Sequence, residues 1–280
     1  MSGGPPNRTR GPRVVPKTEF LTSNFSFLTF MRATWLLPSL TLLQREMVRF
    51  FRQPNRVIGT LGTPLVFWVL IGSGFSSSFH PASMPSSMTS MEYLFPGTIT
   101  LMILFTSIFS TVSIIEDRRE GFLQSVLVAP VSRGAVVLGK IMGGTAVALI
   151  QSIFFLFLAP FVGIHWTVVS FGMAVGIAFL FSFALTGMGF VIIWRMDSVQ
   201  GFHSIMNLVL LPMWLLSGSF FPSSGVPWWL EWLMRINPLT YGVAALRRTL
   251  YGANTSFAWD LPSLSTAIMV TILFGLFFFM

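Results

Sequence analysis

Long apolar runs separated by short charged or proline-rich breaks dominate this chain of 280 residues. Six runs approach the about 20 apolar residues that a helix needs to cross a bilayer core of about 30 Å. They lie at about 57–77, 93–115, 136–160, 166–193, 203–221 and 261–280, with ends placed to within about 2–4 residues. Near-continuous apolarity leaves no room for the alternation of a barrel strand. The spanning elements are therefore helices, which satisfy their own backbone hydrogen bonds in lipid. The fold class is an all-α integral membrane protein with six transmembrane helices.

Ahead of the first run, Leu40, Leu43, Met47, Phe50 and Phe51 share one helical face, and Thr41, Arg45, Arg49 and Arg52 occupy another. This predicts an interfacial helix over 38–53, its apolar side in the acyl boundary and its basic side toward anionic headgroups of membrane lipids. A docking role for a cytosolic partner is the other reading. Residues 31–280 then form one transmembrane domain. Residues 1–30, rich in Gly, Pro and basic side chains, read as a disordered cytosolic tail without the apolar core of a signal peptide.

Between the fifth and sixth runs stand Pro222, Pro227, Trp228, Trp229, Trp232, Asn237, Pro238, Tyr241 and Trp259. Tryptophan and tyrosine favour the headgroup level, and Pro227 and Pro238 stand where helices begin. Two short re-entrant helices in the outer leaflet are predicted. Such backbone is tolerated only where protein or a water-filled cavity shields it.

Composition sharpens this picture. Only 9% of residues are charged, against about a quarter in soluble domains. The net charge of +8 is spread beside apolar segments rather than along a stripe with interleaved aromatics, so nucleic acid is not an expected partner. Fourteen of the 17 Lys and Arg residues, from Arg8 to Arg195, fall on one side of the six runs; Arg235, Arg247 and Arg248 fall on the other. The positive-inside rule puts the first group, and both termini, in the cytosol. The expected location is the cytoplasmic (inner) membrane. The absence of cysteine excludes disulfides, thiolate metal sites and thiol nucleophiles.

The densest mixed charge separates the second and third runs: Glu116-Asp117-Arg118-Arg119-Glu120-Gly121, followed by Phe122-Leu123-Gln124-Ser125-Val126-Leu127-Val128-Ala129-Pro130-Val131-Ser132-Arg133. Leu123, Leu127 and Val131 recur at a spacing of four, an apolar face suited to a partner's groove. The charged head would set register. Gly121 breaks the helix or permits close approach, and Pro130 ends it before the next run. Slung between two spans, this stretch is a handle for something in the cytosol; a solvated charge run is the plainer reading.

Chemistry within the chain is sparse. Gly134 to Lys140 has the spacing of a phosphate-binding loop, but Ile141 replaces the required Ser or Thr and no apolar strand precedes it. Lys140 is instead expected to snorkel to the inner headgroups. His80, His165 and His203 form no metal-ligand spacing. The span interiors hold no ionisable relay, no nucleophile elbow and no paired carboxylates. No enzyme is expected, and any driving energy must come from a partner. Gly172 with Gly176, and Gly187 with Gly189, allow close helix contact in the fourth span. Arg247 and Arg248 are candidates to meet lipid or substrate phosphates on the outer side.

Two stretches resemble the permeases of ABC-2-type ABC exporters. One is the break from Glu116 through Gly121, Leu123, Leu127, Pro130 and Arg133 to Gly139-Lys140; it is similar to the family's acidic-Gly-x-Leu-x-x-x-Leu-x-x-Pro-x-x-Arg stretch. The other runs from Leu216-Ser217-Gly218-Ser219-Phe220-Phe221-Pro222 through Pro227 to Asn237-Pro238-Leu239-Thr240-Tyr241 and Arg247. The resemblance covers nearly the whole chain from about residue 30. It departs from the pattern at Phe278-Phe279-Met280, where a short polar tail is expected.

What the resemblance implies is a coupling helix over Glu116 to Arg133, gripped by a separate ABC ATP-binding subunit that carries ATP and Mg²⁺. It also implies a second copy of the permease. Cargo in such families is hydrophobic drugs in one branch, and lipid-linked polysaccharide or lipo-oligosaccharide in another. An ion-coupled carrier or channel, and a non-transporting assembly subunit, are the readings from other classes.

Overall fold

The computed structural model describes residues 35–74, 88–220, 226–252 and 262–280. The tail over 1–30, His80, Pro222 and Trp259 lie outside them. In chain order the helices are α1 (Leu37–Phe51), α2 (Pro54–Gly74), α3 (Ser90–Ser110), α4 (Ser113–Arg119), α5 (Phe122–Val128) and α6 (Arg133–Leu156). They are followed by α7 (Val168–Trp194), α8 (Val199–Trp214), α9 (Trp228–Ile236), α10 (Pro238–Tyr251) and α11 (Leu264–Phe279). Among the described residues no strand occurs, and five helical stretches are long and apolar enough to cross a membrane. The sixth expected span corresponds to α11, a shorter apolar helix of 16 residues, about 24 Å long at 1.5 Å per residue.

Hydroxyl caps start five of the helices. Thr89, Ser132, Thr167, Ser198 and Ser263 each accept a backbone N–H from the first turn, which satisfies donors that have no partner inside the helix. At α3 and α7 the bond is reciprocated, by Glu92 and Ser170.

The core is built around α3. Of its apolar window 83% is buried, against 17% in α2 and 22% in the stretch that contains α8. A helix that is apolar all round belongs inside, and α3 packs against α2, α6, α7, α8 and α10. Few but specific polar bonds register these contacts. The Trp68 indole donates to the Met91 carbonyl at 2.9 Å and Trp214 to the Gly97 carbonyl at 2.8 Å. Gln151 links three helices: it accepts from Thr106 at 2.6 Å and donates to Thr60 at 2.9 Å. Pro96, inside α3, has no N–H to give the Glu92 carbonyl four residues back; the Tyr251 hydroxyl of α10 donates to it instead.

The fourth span divides on its glycines. A Cβ at Gly187 would touch Phe278 of α11 at 3.4 Å and one at Gly189 would touch Thr111 at 3.1 Å, but Gly172 and Gly176 face nothing within 4 Å. The expected close packing is therefore made by the second pair only, among the described residues.

Candidate functional site

The predicted handle is two short helices joined by two residues, Glu120 and Gly121. After α4, Gly121 takes φ +76°, in the left-handed region where a side chain costs about 1–2 kcal/mol. A Cβ there would meet nothing within 4 Å, so conformation and not crowding is what calls for glycine. The chain turns into α5 and leaves it through Ala129 at ψ 153°, the extended backbone that a following proline imposes. Ser132 then starts α6.

The charged head turns inward as much as outward. Asp117 is fully buried and accepts both guanidinium arms of Arg45, at 3.0 and 2.7 Å, and one arm of Arg49 at 2.9 Å. Lys140 of α6 donates to both Asp117 and Glu46. Arg49 also pairs with Glu116 at 2.8 Å, and the Arg45 guanidinium lies 3.8 Å from the centre of the Phe122 ring. Its hydrogen bonds to Asp117, and the charges around it, hold Arg45 above the usual arginine range. On the other flank, Arg118 donates to the Asp197 carboxylate at 2.9 Å and to the Trp194 carbonyl at 2.8 Å; Arg119 donates to the Asp197 carbonyl at 2.7 Å. Arginines thereby cover the last carbonyls of α7, where cations are favoured.

Three expectations are corrected by this geometry. Lys140 does not snorkel to headgroups: it is buried beside two carboxylates, which serve its ammonium better than a reach of several ångströms to water. Nor does α1 turn its basic face to lipid. It lies along α6, where Gly139 and Gly143 admit it; a Cβ at Gly139 would come within 2.8 Å of the Ser39 carbonyl and one at Gly143 within 2.6 Å of Glu46. The inward face is Ser39, Leu42, Glu46 and Phe50, while Leu40 and Phe51 stay exposed. Finally, Leu123 is buried against its own chain, so the outward side of α5 is Gln124, Ser125 and Val128. The Leu127 side chain lies outside the described ones. Glu120, Pro130 and Arg133 are exposed.

The stretch after the fifth span is stitched by its motif residues. Pro227 precedes α9 and Pro238 opens α10. Asn237 accepts from the Leu239 N–H at 3.0 Å and donates to the Met213 carbonyl. Thr240 and Tyr241 donate back to the Met234 and Arg235 carbonyls at 2.6 and 2.8 Å. Arg247, expected to meet lipid or cargo, is 2% exposed; its guanidinium lies 4.6 Å from the Tyr93 ring centre at the start of α3. The amphipathic α10 buries that face. Arg248 donates to the Pro262 carbonyl at 2.7 Å. The two motif regions are not brought together, since α3, about 30 Å of helix, lies between them.

The chain that carries this corner and this helix pair has relatives among known proteins. The sequence fits the ABC-2 type transporter family over residues 39–251. This chain belongs to that family. It is similar to the putative transport permease ycf38 of Cyanophora paradoxa, 24% identical over 80% of this chain and 78% of that one. It is also similar to the daunorubicin resistance ABC transporter permease protein DrrB1 of Streptomyces coeruleorubidus, 25% identical over 82% and 80%. The inner membrane transport permease YadH of Escherichia coli K12 is 27% identical over 72% of this chain and 74% of its own.

This ABC-2 permease also carries a cavity of 510 Å³ where α2, α3 and α8 meet, within the range of ligand sites. Phe105 and Phe109 line it with Thr60, Thr63, Arg56 and Glu116, and the His203 ring stacks on Phe109 at 4.7 Å. Sequence reasoning missed Arg45, Glu46 and Lys140 as the braces of the handle. Glu46, an acid on an otherwise basic stretch, was the available signal.

Proposed function

We propose that this chain is the membrane half of an ATP-driven exporter, moving an amphipathic, lipophilic cargo outward across the cytoplasmic membrane. Energy comes from a separate ABC ATP-binding subunit, which docks on the corner from Glu116 to Arg133. A second copy completes the pathway, and both termini face the cytosol.

One observation carries this reading: the α4–Gly121–α5 corner is exposed at its tip and braced at its base. A tip of Glu120, Gln124, Ser125 and Val128 can be gripped, while the buried Asp117 cluster joins its base to α1 and α6. Motion applied at the tip then moves the bundle as a unit rather than bending a loop. The family membership supports a partner with the nucleotide site. In this chain the stretch from Gly134 to Lys140 is the opening of α6, its backbone already committed to helix. The aromatic and mixed-polarity cavity supports an amphipathic cargo, as does the resistance named for the Streptomyces relative.

The test uses inverted membrane vesicles that hold the permease and its ATP-binding subunit, with daunorubicin as probe. ATP-dependent uptake is expected, and Glu120→Lys combined with Val128→Glu should cut both subunit co-purification and uptake about ten-fold or more, as loss of a central contact does. Uptake that ignores ATP, or that survives the double substitution, would contradict the proposal.

A further inference from the structure

We infer that the groove between the start of α6 and the end of α7 holds one anionic phospholipid of the cytoplasmic leaflet. The groove encloses 620 Å³. Its floor is Leu123 and its walls include Val137 and Val191; Arg133 and Arg195 stand at its mouth. An apolar slot of this size is poorly served by water and well served by an acyl chain.

The rim names the headgroup. Neither the Arg133 nor the Arg195 guanidinium makes an ion pair or hydrogen bond with the described residues. Their neighbours Arg118 and Arg119 are both satisfied, by Asp197 and the end of α7. Lys140, at the inner end of the groove, is spent on Glu46 and Asp117, so the two arginines are the cations left for a ligand. A phosphate between them pairs what the protein does not, with the bidentate geometry that guanidinium favours.

Depth agrees with a lipid. Trp194 closes α7, and both it and Val191 are about half exposed on the groove's outer wall. Tryptophan marks the headgroup level, and basic pockets between spanning helices at that level recognise anionic lipids. The choice of leaflet rests on the proposed orientation; the binding does not.

The test is native mass spectrometry of the purified permease, without its ATP-binding subunit, titrated with phosphatidylglycerol and, separately, phosphatidylcholine. The wild type should retain phosphatidylglycerol with a preference of about ten-fold or more. Arg133→Gln with Arg195→Gln should abolish the preference, and Val137→Trp, which fills the groove, should remove one bound lipid. Arg52→Gln, at another inner-side arginine, should leave both unchanged. Because both rim arginines are exposed, the double variant keeps its fold even if the filled groove does not. Equal retention of the two lipids by the wild type would overturn the inference. So would an unchanged preference in the double variant. Loss of the ATP-binding subunit from that variant, with its lipid preference intact, would assign the arginines to the partner and overturn it as well. Failure of ATP-driven transport, by contrast, bears only on the proposed function.

Discussion

Lys140 shows how one side chain can fix several helices. Its ammonium sits buried between Glu46 of α1 and Asp117 of α4, and Asp117 also accepts from Arg45 and Arg49. Buried ion pairs add little net stability, but removing one partner strands the others without water, at about 3–5 kcal/mol. Lys140→Met is therefore expected to lower the melting temperature in detergent sharply. Adding Glu46→Gln to it should recover part of the loss, because one stranded carboxylate is removed. A double variant no more stable than Lys140→Met would show that Glu46 is not held by this lysine. At Gly121 the expected effect is conformational: Ala must adopt φ +76°, at about 1–2 kcal/mol. Asn, which visits that region more readily, should fall between Gly and Ala in the same melting assay.

At the scale of elements, the close seat of α1 on α6 governs whether the handle is braced. Gly139→Leu is expected to lift α1, because its Cβ alone would press on the Ser39 carbonyl. The chain has no cysteine, so the contact can be followed with one introduced pair, Ser39→Cys and Ala135→Cys, at positions where the Ser39 hydroxyl donates to the Ala135 carbonyl at 2.9 Å. The pair should oxidise readily in the wild-type background and lose that reactivity with Gly139→Leu. Undiminished oxidation would mean that α1 is held by something else. Apolar runs made the five long spans legible within a few residues, and prolines marked the starts of α9 and α10, because both signals are local. The facing of α1 was not legible. Its helical wheel offered an apolar stripe and a basic stripe, but glycines in α6 about 90 residues away chose a third face containing Glu46. The same limit applies to Leu123. A spacing of four identifies an apolar face without saying whether a partner or the chain itself covers it.

At the scale of the whole molecule, the two motif regions sit at opposite ends of α3, which packs against most of the bundle and is buried nearly throughout. At one end Arg247 and Tyr251 hold its first turn. At the other, α4 runs into the braced corner. A buried central helix tied at both ends suits the proposed function, in which motion at the corner reaches the far end of the bundle by rigid-body movement. The most direct test of that claim is site-specific photo-cross-linking in membranes containing the ATP-binding subunit. A photoreactive reagent is placed on Val128→Cys, and on Trp228→Cys as a control at the helix pair after the fifth span. Efficient capture of the ATP-binding subunit from Val128→Cys, with none from Trp228→Cys, is expected. No capture from Val128→Cys, or equal capture from both, would contradict the account.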